Sequence, residues 1–110
     1  MEEKVIHFLT KQGYCIVAKN FRCSYGEIDI ISRKEDCLIF TEVKYRKSSR
    51  YGLPSEAVDK QKQRTLSKVG SVYCYQNQYR GRCRFDVVSV TPSGIEIIEN
   101  AFGYRGRWEY

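Results

Sequence analysis

The feature that most constrains the fold is a pair of strand-like runs in the first half of the chain. Glu27 to Arg33 and Cys37 to Tyr45 are rich in β-forming residues, and only the polar residues 34–36 separate them. Two such runs with a short polar connection predict a β-hairpin. Because side chains alternate along a strand, apolar residues lie on both faces of this hairpin. We therefore expect it to be central in a sheet that is covered on both sides.

The rest of the 110 residues supplies two helices and three further strands. Apolar spacing predicts a short helix over 3–12 and a longer one over about 55–75. Strand-forming residues predict strands over 14–21, 84–90 and 94–99. The order α-β-β-β-α-β-β predicts an α/β fold, a mixed β-sheet with helices on both faces. Since no linker or repeat divides the chain, residues 1–110 are expected to form a single domain.

Charge and cysteine usage restrict the partners and the compartment. Nineteen Lys and Arg against thirteen Asp and Glu give a net charge of +6, which favours polyanionic partners but does not exclude a basic protein without an anionic ligand.

The five cysteines have no C-x-x-C spacing and His7 is the one histidine, so we read them as reduced thiols and not as a zinc site. Without a signal peptide or an apolar run of roughly 18 residues, the chain is predicted to be cytoplasmic, with no membrane partner. A homodimer is left open.

Charged residues gather at one end of the predicted hairpin. If the hairpin turns at residues 35–36 with a loop of two or four residues, Asp29 lies opposite Glu42. Glu27 then lies opposite Lys44, and an odd-length loop would shift this register by one. Two carboxylates buried side by side are costly unless positive charge lies between them. Lys44 supplies part of that charge, and Mg²⁺, which takes one or two carboxylates together with waters and phosphate oxygens, would supply the rest.

Strict alternation in the same strands also assigns their apolar residues to faces of the sheet. Ile28 and Ile30 are placed on one face, and Asp29 and Ile31 on the other. The alternative to a metal site is an exposed charged strand end, at which Glu27 and Lys44 form a surface ion pair.

The residues of this hairpin resemble a known signature. Asp29, a gap and then Glu42-Val43-Lys44 resemble the PD-(D/E)xK signature of the restriction-endonuclease-like superfamily. A longer set of short motifs resembles the YraN family of small bacterial proteins, and these motifs are Leu9-x-x-x-Gly13-Tyr14, Asn20-Phe21-Arg22, Gly26-Glu27-Ile28-Asp29, Phe40-Thr41-Glu42-Val43-Lys44, Tyr51-Gly52-x-Pro54, Lys60-Gln61, Arg84-Phe85-Asp86-Val87-Val88 and Asn100-Ala101-Phe102. The resemblance implies a restriction-endonuclease-like core, related to archaeal Holliday-junction resolvases, and nuclease activity.

The resemblance also implies a site. Asp29 and Glu42 would be ligands of Mg²⁺ or Mn²⁺, and the backbone carbonyl of Val43 would complete the set. Lys44 would orient the attacking water or stabilise charge on the phosphate. The implied chemistry is metal-assisted hydrolysis of a phosphodiester bond.

Glu27 and Gln61 also belong to the predicted catalytic group, and the resemblance points in addition to Glu2. Glu27 accompanies Asp29 on its strand, and Glu2 stands where the related resolvases carry an additional acidic residue. Gln61, on the long helix, matches a polar residue that faces the site. One departure from the signature is Ile28, which takes the place of the proline.

Basic residues follow the predicted site along the chain. Those predicted to contact nucleic acid, most simply DNA, are Arg46, Lys47, Arg50, Lys60 and Lys62. The alternative is a solvated loop and helix face, which is the usual position of charged runs. Asp86 is read as a structural residue that pairs with an arginine such as Arg84. Two functions are therefore carried forward: a metal-dependent nuclease acting on DNA, including branched or single-stranded forms, and a non-catalytic nucleic-acid-binding or interaction module.

Overall fold

Two helices and five strands follow one another along the part of the chain that the computed structural model describes, residues 2–47 and 58–104. They are α1 (Glu2–Lys11), β1 (Cys15–Cys23), β2 (Gly26–Lys34), β3 (Cys37–Tyr45), α2 (Lys60–Gln76), β4 (Arg82–Thr91) and β5 (Gly94–Phe102). The predicted order α-β-β-β-α-β-β is confirmed. Neither helix in these ranges is long and apolar enough to cross a membrane.

The five strands form one mixed sheet in the order β1-β2-β3-β4-β5. Strands β3 and β4 are parallel, and every other neighbouring pair is antiparallel. Parallel neighbours cannot be joined by a tight turn, so the chain crosses between them through the segment that contains α2. The start of α2 therefore lies at the end of the sheet where β3 ends.

The β2–β3 hairpin has the register that its sequence predicted. Lys34 pairs with Cys37, which leaves a two-residue turn, and the ladder continues to the pair Ile30 and Thr41. Glu35 in the turn has a φ of 57°, the left-handed conformation that tight hairpin turns require. Asp29 and Glu42 lie one residue beyond this last pair, where the predicted register would place them opposite each other.

The two helices cover opposite faces of the sheet, as predicted. The core beneath α1 contains Val5, Leu9, Tyr14, Ile30, Ile39 and Val88. The core beneath α2 contains Leu66, Val69, Cys74, Ile31, Phe40, Phe85 and Val87. Because Ile30 and Ile31 are adjacent in sequence and belong to different cores, the two cores lie on the two faces of the sheet.

The strict alternation expected for β2 is wrong at Ile28. This residue packs in the core beneath α2 together with Ile31, although Ile30 lies on the other face. On the neighbouring strand, Ala18 pairs with Ile31 and Phe21 pairs with Ile28. Asn20, between them, has a φ of 53°, so both strands change face over this short stretch. The irregularity coincides with the position of Asp29.

The start of α2 lies later than predicted. Asp59 is its N-cap: its backbone is extended, and its carboxylate accepts a hydrogen bond of 2.8 Å from the backbone N–H of Lys62. The predicted helical residues 55–57 lie outside the described residues. Since Asp59 is the N-cap and has extended backbone, the helix begins at Lys60.

Asp86 is structural, as expected. Its carboxylate is 1% exposed and receives two hydrogen bonds from Arg84, at 2.8 and 2.9 Å. The Tyr14 hydroxyl donates to Asp86 at 3.2 Å, and the backbone N–H of Asn100 donates at 2.9 Å. Asn100 lies in β5 near the register shift against β4, so one buried carboxylate joins β4, β5 and Tyr14, the residue just before β1.

Candidate active site

Asp29 is anchored to the strand beside its own. It is half-buried at the point where the β2–β3 ladder ends, one residue before the last pair, Ile30 and Thr41. Its Oδ2 accepts a hydrogen bond of 2.8 Å from the backbone N–H of Val43. The side-chain carboxylate thus accepts a hydrogen bond that a backbone carbonyl would accept in a regular ladder. This contact fixes the carboxylate against β3.

Glu42 is the most buried acidic side chain at this end of the sheet among the described residues. Its side chain is 10% exposed, and its Oε2 lies 3.7 Å from the Nζ atoms of both Lys44 and Lys62. Direct hydrogen bonds between ammonium and carboxylate groups are about 2.7–2.9 Å, so both contacts are looser ion pairs. Lys44 comes from the same strand, whereas Lys62 reaches in from the first turn of α2.

Burial and neighbouring carboxylates disfavour the negative charge of both Asp29 and Glu42. Burial raises the pKa of Asp29, the hydrogen bond from Val43 opposes this, and the charges of Glu27 and Glu2 raise the pKa further. Burial also raises the pKa of Glu42, and the charge of Asp29 adds to that effect. Lys62 and Lys44 act in the opposite direction on Glu42. The arrangement is therefore a partly buried acidic pair with raised pKa values, and two lysines oppose that rise at Glu42.

Two further carboxylates border this pair. With its amide oriented to face both acceptors, Asn20 donates to Glu2 at 3.0 Å and to Glu27 at 3.2 Å. Glu27 also pairs with Arg22, at 3.2 Å. The surface ion pair considered between Glu27 and Lys44 is wrong, because Lys44 pairs with Glu42 in the described chain. Glu2, placed by α1, lies close enough for its charge to act on Asp29.

The helix glutamine that faces inward is not the one proposed from sequence. Gln61 is exposed, whereas Gln63 is buried and donates a hydrogen bond of 2.8 Å to the carbonyl of Val58. From α2, the side chain that reaches Glu42 is that of Lys62. The helical period could have predicted that Gln63 faces inward. Gln63 is spaced three and four residues from the buried Leu66 and Ser67, so it shares their face.

The five predicted nucleic-acid contacts divide into four groups. Lys47 and Lys60 are exposed near the acidic pair, one just after β3 and the other at the start of α2. Arg46 is half-buried, and its backbone N–H donates to the carbonyl of Val90 at 2.8 Å. Arg50 lies outside the described residues. Lys62, the remaining one, belongs to the acidic site itself.

The donor set fits a hard divalent cation that keeps water ligands. Asp29 and Glu42 supply carboxylate oxygens, which Mg²⁺ and Mn²⁺ prefer, and their mutual repulsion would be relieved by a cation. Within residues 2–47 and 58–104, no three His, Cys, Asp or Glu side chains form a group that could hold a metal. A metal here would therefore rely on two carboxylates, backbone and water, and the Val43 carbonyl stays a predicted ligand.

Fold and site together define a small α/β protein with an acidic pair, bordered by lysines, at one end of a mixed sheet. The chain belongs to the uncharacterised protein family UPF0102, whose family model matches residues 1–90. This is the YraN family to which the sequence motifs pointed, so that prediction is confirmed.

Relatives in this family are similar over nearly their whole length. A UPF0102 protein of Cytophaga hutchinsonii is 46% identical over 96 residues, which cover 87% of this chain and 85% of the relative. One of Caldicellulosiruptor saccharolyticus is 45% identical over 109 residues, 92% of each chain. One of Lachnoclostridium phytofermentans is 42% identical over 107 residues, 96% of this chain and 91% of the relative.

Proposed function

We propose that this protein is a nuclease with a restriction-endonuclease-like core that uses Mg²⁺ or Mn²⁺ to hydrolyse phosphodiester bonds of DNA. The observation that carries the proposal is the pair Asp29 and Glu42, which lies on adjacent strands, is partly buried and has raised pKa values. Burying two carboxylates together is costly, and buried groups with shifted pKa values are common at functional sites.

Each residue has a distinct role in this proposal. Asp29 and Glu42 would hold the metal, with the Val43 carbonyl as a backbone ligand. The bound metal would supply Lewis-acid activation and a water of lowered pKa. The Lys44 ammonium, 34% exposed beside Glu42, faces solvent on one side and would place positive charge against the scissile phosphate. The hydrogen bond from Val43 keeps the Asp29 carboxylate in one orientation while this happens.

The surroundings of the site favour a nucleic-acid substrate. The chain carries a net charge of +6, and Lys47 and Lys60 expose part of that charge close to the acidic pair. Tyr45, which is 49% exposed at the end of β3, offers an aromatic face on which an unstacked base can lie. Branched and single-stranded DNA contain such unstacked bases, and they are the first substrates to test beside linear duplexes.

The experiment is a cleavage screen of linear, branched and single-stranded DNA and RNA with Mg²⁺ or Mn²⁺. Cleavage by the wild type is expected, and Asp29→Asn, Glu42→Gln and Lys44→Ala should each abolish it without changing the circular dichroism spectrum. Double variants should be no worse than single ones, because the residues act as a unit. The Asp29→Ala protein, purified identically, controls for contaminating nucleases. Wild-type activity in Glu42→Gln would contradict the proposal.

A second candidate function is a non-catalytic nucleic-acid-binding or interaction module. It is favoured by the two ion pairs of Glu42, which partly neutralise the site without a metal. The same screen separates the two functions. A module would bind nucleic acid without metal-dependent cleavage, and Asp29→Asn would leave that binding unchanged or slightly tighter.

A further inference from the structure

Two ammonium groups from different elements share one oxygen of Glu42. Lys44 Nζ and Lys62 Nζ each lie 3.7 Å from Glu42 Oε2. The carboxylate is 10% exposed, whereas the lysine side chains are 34% and 43% exposed, respectively. The carboxylate is therefore the buried member of the group, and the two lysine side chains are the more exposed members. Of these, Lys62 is the more exposed and reaches in from outside the sheet.

The position of Lys62 on its helix also indicates an anionic partner. The first turn of α2 contains no acidic residue but does contain Lys60 and Lys62. Positive side chains at a helix N-terminus oppose the helix dipole, so this placement is unfavourable unless an anion is near. The N-cap carboxylate of Asp59 and the Glu42 carboxylate are such anions here, and a phosphate would be another. The N-cap contact from Asp59 to the Lys62 backbone keeps the start of the helix in place while the flexible side chain is free to move.

We propose that Lys62 exchanges partners during the reaction cycle, holding Glu42 in the metal-free protein and turning to a substrate phosphate once a divalent cation takes that carboxylate. This inference rests on the proposed function and assigns Lys62 as a substrate-binding residue within it. The physical reason is competition. A divalent cation and two ammonium groups cannot share Glu42 Oε2 without repulsion, so the more exposed ammonium leaves. The phosphate of a bound nucleic acid is then the new ion-pair partner of the Lys62 ammonium.

The test compares Lys62→Met, which keeps the apolar stem and removes the charge, with Lys60→Met as the matched control on the same helix turn. Mn²⁺ binding is measured by titration calorimetry. Removal of a competing, partly exposed ion pair should tighten Mn²⁺ binding by about three- to fivefold in Lys62→Met. The exposed Lys60→Met should change it by less than about twofold. Lys62→Gln serves the same purpose if Lys62→Met does not fold.

A second measurement tests whether Lys62 contacts a substrate phosphate once the metal is bound. Binding of a cleavage-resistant phosphorothioate oligonucleotide is measured in EDTA and in Mn²⁺. Lys62→Met should weaken binding several-fold in Mn²⁺ and leave it nearly unchanged in EDTA, where Glu42 holds the lysine. Mn²⁺ affinity that stays unchanged or falls in Lys62→Met, while the wild type binds Mn²⁺, overturns the exchange alone. If the wild type binds no Mn²⁺, the proposed nuclease function falls and the exchange falls with it.

Discussion

The Asp29 carboxylate accepts a 2.8 Å hydrogen bond from the backbone N–H of Val43, across the end of the β2–β3 ladder. This contact joins the two strands at the residue where regular pairing stops and where β2 changes face. Because the carboxylate is held by backbone and not by a flexible side chain, its position is fixed before any ligand binds. It also stands next to Glu42, whose charge opposes its own.

The first prediction concerns metal and stability. Asp29→Asn should raise the melting temperature in EDTA, or leave it unchanged, because the amide oxygen still accepts from Val43 and one repelling charge is gone. Mn²⁺ at a hundred times its Kd should stabilise the wild type by about 2.7 kcal/mol and the variant far less. Thermal unfolding of both proteins with and without Mn²⁺ measures this. Equal shifts in both, or no shift in either, would remove the metal-site assignment.

The second prediction concerns pH. The pKa values of Asp29 and Glu42 are raised in the folded protein, so the folded state binds their protons more tightly than the unfolded state. The two groups therefore lower stability above their folded pKa values, and this loss disappears as pH falls below the ordinary values of 3.8 and 4.5. The advantage of Asp29→Asn over the wild type should be largest at pH 7 and shrink towards pH 3.5. A difference that is constant across this range contradicts the shift for Asp29.

The third prediction concerns the buried Asp86 network. Asp86→Ala leaves Arg84 and the Asn100 N–H without their acceptor and should cost about 3 kcal/mol. Tyr14→Phe removes a single hydroxyl and should cost about 1 kcal/mol. Glu99, the exposed partner of the same arginine at 3.9 Å, is the control, and Glu99→Ala should cost less than about 0.5 kcal/mol. Urea unfolding measures all three, and similar costs at Asp86 and Glu99 would contradict the network.

The fourth prediction concerns the glycine inside α2. A Cβ at Gly70 would lie 3.1 Å from the Phe40 ring, which also packs against Phe85 and Tyr73. Although alanine favours a helix by up to about 1 kcal/mol, overpacking costs about 1–3 kcal/mol. Gly70→Ala should therefore destabilise the protein by about 1 kcal/mol in urea unfolding. Phe40→Leu in the same chain should relieve part of the cost, and a stabilising Gly70→Ala would show that the ring moves freely.

The fifth prediction concerns the path of nucleic acid. Replacing Lys47, Arg50 and Lys60 by Ser should reduce the slope of log affinity against log salt by about 0.9 for each duplex phosphate contact that is lost. Arg80→Ser with Arg82→Ser is the control, because Arg82 pairs with Cys37 at the opposite end of the sheet, roughly 17 Å along β3 from Glu42. A larger change in the control would place the binding surface at that end.

Much of the fold could be predicted because it depends on local sequence. The two-residue turn and the alternating apolar residues set the register of β2 and β3, and that register would place Asp29 opposite Glu42, one residue beyond the last pair. Gly13, with a φ of 95°, follows α1, and a glycine in this conformation is typical just beyond a helix end. The order of elements and the coverage of both sheet faces followed from the same patterns. Part of the candidate site was therefore visible in two short segments of the chain.

The sequence by itself determined the acidic pair and the strands that carry it, since turn length and side-chain alternation act between near neighbours. Only the tertiary structure decided which distant groups join the pair. The packing of α2 on Phe40 and the cap at Asp59 set the rotation of the helix, and that rotation turns Lys62 to Glu42 and leaves Gln61 in solvent. The change of face at Asn20 likewise moved Ile28 and placed Glu2 beside Glu27. Such contacts depend on how whole elements dock, and no local pattern encodes that geometry.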